Sequence, residues 1–118
     1  MSKTAVVITA KGDFSLLDVE TDFLSKMQNA VDGLIQPVDL QDDVTMWVNE
    51  EGLLRNDLEA NSIATGLYVQ MLNAQTPIMG DVVFTGGTDE EGDTLGLGED
   101  YVKALEEVAR SYRMVMAQ

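Results

Sequence analysis

Apolar and polar positions alternate along the chain with two different periods, and the switches between them set out the elements. Thr4 to Ala10 is short, β-branched and apolar, Lys11 to Asp13 is a turn signal, and Phe14 to Glu20 is a second apolar stretch, which predicts a starting hairpin. From Thr21 and Asp22 the period lengthens: Phe23, Leu24, Met27, Ala30 and Val31 recur at helical spacing, and Gly33 suits the position just past a helix end. Leu34, Gln36, Val38 and Leu40 then fall on one side of an extended segment in which Pro37, having no N–H to donate, predicts an edge or a kink. Thr45 to Asn49 alternates Met46 and Val48 against Thr45 and Trp47, and Asn49 to Gly52 reads as a type I turn closing on a glycine at positive φ. From Asn61, the rows Ile63, Leu67, Met71 and Ala64, Tyr68, Leu72 predict a second helix, weakened at Gly66 by roughly 1 kcal/mol relative to alanine and bounded by Pro77. Ile78 to Gly86 reads as a strand buried on at least one face. A last helix carries Tyr101, Leu105, Val108 and Tyr112 as its core stripe, Val102, Ala109 and Met116 beside it, and the pairs Glu99–Lys103 and Glu106–Arg110 on its outer side. The order predicts one α+β domain over residues 1–118: a mostly antiparallel sheet of about five strands packed with three helices.

Composition changes this picture mainly by exclusion. The chain has 118 residues, 45% of them apolar, which suffices for one core. Seven basic against 21 acidic residues give a formal net charge of −14, which repels nucleic-acid phosphate and anionic lipid alike, so neither direct nucleic-acid binding nor membrane binding is expected. There is no cysteine and no histidine. That removes disulfides, thiolate chemistry, the side chain that titrates near neutral pH and the commonest transition-metal ligand, so no cofactor and no enzymatic activity are expected. The apolar run ending at Ala10 is too short for a secretory or membrane-spanning segment, and a cytoplasmic location is expected.

Candidate chemistry concentrates in two acidic turns. In the first, Phe84 to Asp100, an EF-hand register starting at Asp89 places Asp89, Glu91 and Asp93 at its first three ligand positions but Thr94 where glycine is required and Asp100 where the bidentate glutamate belongs. A phosphate cradle is opposed by the acids from Asp89 to Asp100 and by the absence of Lys or Arg from Asn56 through Val102. The expectation is an ordered strand-to-helix crossover whose tip, Asp89, Glu90, Glu91 and Asp93, is solvated, with Glu99 and Asp100 complementing a helix dipole and Leu95 and Leu97 packing down. In the second turn, Glu50 and Glu51 are adjacent carboxylates pointing apart with no nucleophile beside them. Trp47 is expected to be buried rather than an exposed hot spot. Met46, Met71 and Met79 are expected to fill core gaps, while Met114 and Met116 lie near the C-terminus.

The segments "DGLIQPVDL", "MWVNEEGLLRND", "NSIAT" and "IMGDVVFTGGTDEEGDTLGL" resemble a family of small domains of unknown function encoded by actinobacteria, their phages and other mobile elements. The likeness spans roughly residues 23–105, and Leu34 departs from it, standing where a second glycine or an aromatic is expected. What the resemblance implies is provenance, with Asn49, Glu50, Glu51, Gly52 and Asn61 at its most recognisable positions as partner- or ligand-binding candidates. Two functions from different classes follow. One is a non-catalytic phage-type interaction protein that engages a host protein, in the extreme form a basic nucleic-acid-binding one. The other is a small-ligand or cation-binding domain in which the Asn49 turn and the Asp89 loop meet at one end of the sheet.

Overall fold

The computed structural model describes residues 3–40 and 43–118. Their strands are β1 (Thr4–Ile8), β2 (Phe14–Asp18), β3 (Ile35–Leu40), β4 (Val44–Asn49) and β5 (Val82–Gly86), and their helices are α1 (Phe23–Val31), α2 (Ser62–Leu72) and α3 (Glu99–Met116). The strands form one sheet in the order β2-β1-β5-β4-β3, and every neighbouring pair is antiparallel. This is the expected α+β architecture. β5 enters last, between the two hairpins, and all five of its residues are buried.

Two apolar clusters cover the two faces. Val6, Ile8, Met46, Val48, Val82 and Phe84 point to the side where Ile63 and Ala64 of α2 and Leu105 and Ala109 of α3 pack. Ala5 and Val83 point the other way, onto Met27 and Val31 of α1. The alternation of β4 therefore divides between two cores, with Met46 and Val48 in one and Trp47 against the other. Edge strand β3 carries Pro37, whose missing N–H costs no ladder bond at an edge.

Several local expectations change. The left-handed residues that end α1 and α2 are Asp32 (φ 62) and Asn73 (φ 54). Gly33 stands just past the end of α1 as expected, its N–H donating to the Gln28 carbonyl at 3.0 Å, whereas Pro77 lies beyond Asn73 and does not supply the stop of α2. Leu34 is exposed instead of sharing the buried side with Val38 and Leu40. Val108 and Met116 are exposed, and the outer ion pair of Arg110 is with Glu107, one residue from the expected Glu106; Lys103–Glu99 forms as expected at 3.4 Å. Trp47 is partly buried, its ring set edge-on to Phe23 with centroids 5.5 Å apart.

Gly66 sits exposed in the middle of α2, in ordinary helical backbone, and a Cβ built there meets nothing within 4 Å. Gly66→Ala is therefore expected to stabilise the domain by about 0.5–1 kcal/mol. A thermal melt should rise by a few degrees; an unchanged or lower midpoint would contradict the open environment.

Candidate functional site

The Asn49 turn is built by hydrogen bonds that use up its polar groups. Gly52 N–H donates to the Asn49 carbonyl at 3.1 Å, closing the turn. Gly52 is not at positive φ, contrary to expectation; glycine is suited there because a Cβ would lie 3.3 Å from the Asn49 carbonyl oxygen and 3.5 Å from Met79 Cβ. The Asn49 side chain is 5% exposed. Its Nδ2 donates to the carbonyls of Val31 (3.0 Å) and Asp32 (3.2 Å), and its Oδ1 accepts from Glu51 N–H at 2.8 Å. Asn49 thus ties the end of β4 to the C-terminus of α1, satisfying carbonyls that the helix leaves unpaired. Glu50 and Glu51 are exposed.

Beside this turn stands a residue that sequence reasoning missed. Arg55 donates to the Asp32 carbonyl (2.6 Å), to Asp32 Oδ2 (2.9 Å) and, through Nε and Nη2, to both oxygens of Asp57 (2.9 and 2.6 Å). The Arg55 fork holds the Asp57 carboxyl below the usual carboxylate range, and Asp57 first, then Asp32, pushes the guanidinium up. The signal available in sequence was the Arg55-x-Asp57 spacing, which matches a bidentate pair across a bend but does not reveal the third partner, Asp32.

Asn61 is 0% exposed. Its Oδ1 accepts from Ala64 N–H at 3.0 Å as the cap of α2, and its Nδ2 donates to the carbonyls of Ile8 (3.0 Å) and Gly80 (2.9 Å). One side chain therefore joins the start of α2 to the end of β1 and the approach to β5.

The Asp89 loop is a hairpin extension of β5 that folds back on the sheet. Gly86 N–H donates to the Leu95 carbonyl (3.0 Å), Leu95 N–H to the Gly87 carbonyl (2.8 Å) and Leu97 N–H to the Thr4 carbonyl (2.7 Å). Leu97 is buried as expected, whereas Leu95 is held only through its backbone and its side chain is exposed. At the tip, Asp89 Oδ1 accepts from the N–H groups of Glu91 and Asp93, both at 2.9 Å, so this carboxylate closes its own turn. Asp89, Glu90, Glu91 and Asp93 are all exposed. Among the described residues, no group of three or more acidic, His or Cys side chains is placed to hold a metal ion.

The register keeps the two acidic turns apart. Val44 pairs with Gly86 and Trp47 with Val83, so the Asn49 turn leaves one end of the sheet and the Asp89 loop the opposite end. The shared site of the ligand-binding reading is overturned by this topology. A groove of about 150 Å³ does adjoin the Asn49 turn, but Val38, Val48, Tyr68, Pro77 and Ile78 help line it and no residue of the Asp89 loop does. The other end gathers Asp39, Asp43, Asp89, Glu90, Glu91, Asp93, Glu99 and Asp100, all exposed. Asp18, at the same end through its pairing with Thr4, has its carboxyl held low by the N–H groups of Glu20 and Lys3.

The sequence profile of one family matches residues 2–110. The chain belongs to that family, described as a domain of unknown function (DUF3846). The match takes in the β1–β2 hairpin, which the motif resemblance left outside, so the DUF3846 unit spans the whole sheet and most of α3. No curated protein and no solved structure matches the chain. Among the described residues of this DUF3846 member, no helix is long and apolar enough to cross a membrane. Of the five candidate positions named from the resemblance, Asn49 and Asn61 are spent on backbone groups inside the fold.

Proposed function

We propose that this DUF3846 domain is a non-catalytic interaction protein whose acidic end engages a basic protein partner. The observation that carries this reading is the uneven placement of charge. No charged residue occurs from Ala60 to Gly80, the segment that forms α2 and the loop after it, while the end of the sheet from which the Asp89 loop projects collects eight exposed carboxylates (Asp39, Asp43, Asp89, Glu90, Glu91, Asp93, Glu99 and Asp100), with Lys103 paired to one of them. The opposite end also exposes Asp13, Asp32, Glu50, Glu51, Asp57 and Glu59, but there Arg55 pairs with Asp32 and Asp57 and Arg113 with Asp13. The larger uncompensated charge therefore lies at the Asp89 end and steers a cationic partner to it. The buried polar side chains Asn49 and Asn61 have their hydrogen bonds filled by the fold, so contact with a partner falls to the exposed carboxylates. The mobile-element provenance implied by the motifs makes a cytoplasmic host protein the natural partner, and a basic nucleic-acid-binding protein fits the charge best.

Affinity capture of the tagged protein from an actinobacterial lysate, at low and moderate salt, tests this. A basic protein enriched at low salt, fading as salt rises and lost when Glu90, Glu91, Asp93 and Glu99 are together changed to their amides, is the expected result. Capture of nothing above control, or of a partner indifferent to those changes, would remove the acidic end from the account.

A further inference from the structure

The nine residues of α1 cover only part of their side of the sheet. Toward the acidic end, a cleft of about 480 Å³ opens over β3 and β4. Pro37 pairs with Trp47 and Asp39 with Thr45, and residues opposite one another across an antiparallel pair share a face, so these four form its floor. Asp43 (φ 57) stands at the rim beside Gly87.

Within this cleft the indole is held in a fixed position. Trp47 Nε1–H donates to Thr85 Oγ1 at 2.8 Å, and Phe23 meets the ring at 76°. The ring nevertheless stays partly exposed and lines the cleft. Asp39 is oriented by Thr45 Oγ1–H, which donates to its Oδ1 at 3.2 Å, leaving the rest of an exposed carboxylate free to accept. Among the described residues, the charged ones lining the cleft, Asp39 and Asp43, are both acidic. A fixed, partly open indole beside two carboxylates matches a planar cation that lies against a π face while its forked N–H donors reach the oxygens. Guanidinium has that shape; a lysine ammonium offers a point charge without the plane.

We infer that this cleft receives an arginine side chain of the basic partner. The inference rests on the proposed interaction role and names the contact that would give it specificity. Trp47 is the single tryptophan of the chain, so its emission reports on this cleft alone.

The test is a fluorescence and calorimetric titration of the full chain at low salt with an alternating Arg-Gly peptide, set against Lys-Gly and Ser-Gly peptides. The arginine peptide should quench Trp47 saturably, the lysine peptide should bind about fivefold more weakly and the serine peptide not at all. The double variant Asp39→Asn, Asp43→Asn should weaken the arginine peptide about tenfold, whereas Glu90→Gln, Glu91→Gln, which removes equal charge outside the cleft, should cost less than about threefold. Asparagine keeps the acceptor for Thr45 and tolerates the left-handed backbone of Asp43, and a thermal melt of each variant confirms folding. Equal loss in the two double variants, equal binding of the lysine peptide, or calorimetric binding with unchanged Trp47 emission would overturn the cleft assignment and leave the acidic docking end standing. No binding of either cationic peptide would overturn both.

Discussion

Replacing Asn61 with alanine is expected to lower the unfolding free energy by about 3–5 kcal/mol. The substitution removes the cap from Ala64 N–H and withdraws both amide donors from the Ile8 and Gly80 carbonyls, at a site with no exposure to water. An exposed cap of this kind contributes only about 1 kcal/mol; the excess comes from leaving carbonyls without a partner where solvent cannot replace it. Since a domain of this size has roughly 5–15 kcal/mol in total, the melting midpoint should fall by about 10–15 °C. Asn61→Asp separates the two contributions. It keeps the acceptor for Ala64 but sets a buried carboxylate against two carbonyl oxygens, which raises its folded pKa above the unfolded value of about 3.9. The sign follows: relative stability is greatest below that unfolded value and declines as pH rises toward the folded pKa, so this variant should recover on acidification relative to Asn61→Ala. Urea melts of both variants across pH provide the check. A midpoint for Asn61→Ala within about 2 °C of the parent would mean that these bonds do not hold α2 to the sheet.

Asn61 also shows how far sequence reasoning reaches. Its place at a helix start was legible, because the polar side chain stands three residues before the N–H it caps and the apolar rows begin at once. Its second function was not, because Ile8 and Gly80 reach it only through the sheet order, which depends on pairings remote in sequence. The existence and type of all eight elements follow from local periodicity; the entry of β5 between β1 and β4 does not, and that entry is what sends the two acidic turns to opposite ends. The end of α2 was misread for a local reason. Asn73 takes the left-handed conformation itself, so Pro77 beyond it is not the stop, whereas Gly33 does stand just past α1, after the left-handed Asp32. At the C-terminus the error was one of length. The 18 residues of α3 extend about 27 Å, whereas the five residues of β1 and of β2, on which it lies, span only about 17 Å. The last turn overshoots the sheet, and Met114, Val115 and Met116 are left exposed although the apolar pattern continues through them.

Gly86→Ala should be the second most damaging change and the one that ties the fold to the acidic end. Gly86 has no positive φ, so backbone strain is not at issue. A Cβ there would instead stand 2.4 Å from the Gly96 carbonyl oxygen and 3.1 Å from that of Leu95, both on the arm returning from the acidic tip. Backbone atoms cannot turn aside as a flexible side chain can, so the arm must move off β5, and with it the bonds of Gly86 to Leu95 and of Leu97 to Thr4. A cost of about 2–4 kcal/mol and a midpoint lower by roughly 7–12 °C are expected. Amide exchange locates the damage: the Leu95 and Leu97 N–H groups should lose protection while those of β3 and β4 keep theirs. Retained protection at Leu95 with an unchanged melt would show that the arm accommodates a methyl group, and that the tip is positioned by something other than this close approach. The glycines that make the segment read as a flexible linker in sequence are, at Gly86 and Gly96, what lets two stretches of backbone lie in contact. Glycine there fixes the acidic tip against the sheet, the anchoring that the proposed docking surface requires if its carboxylates are to hold a constant arrangement.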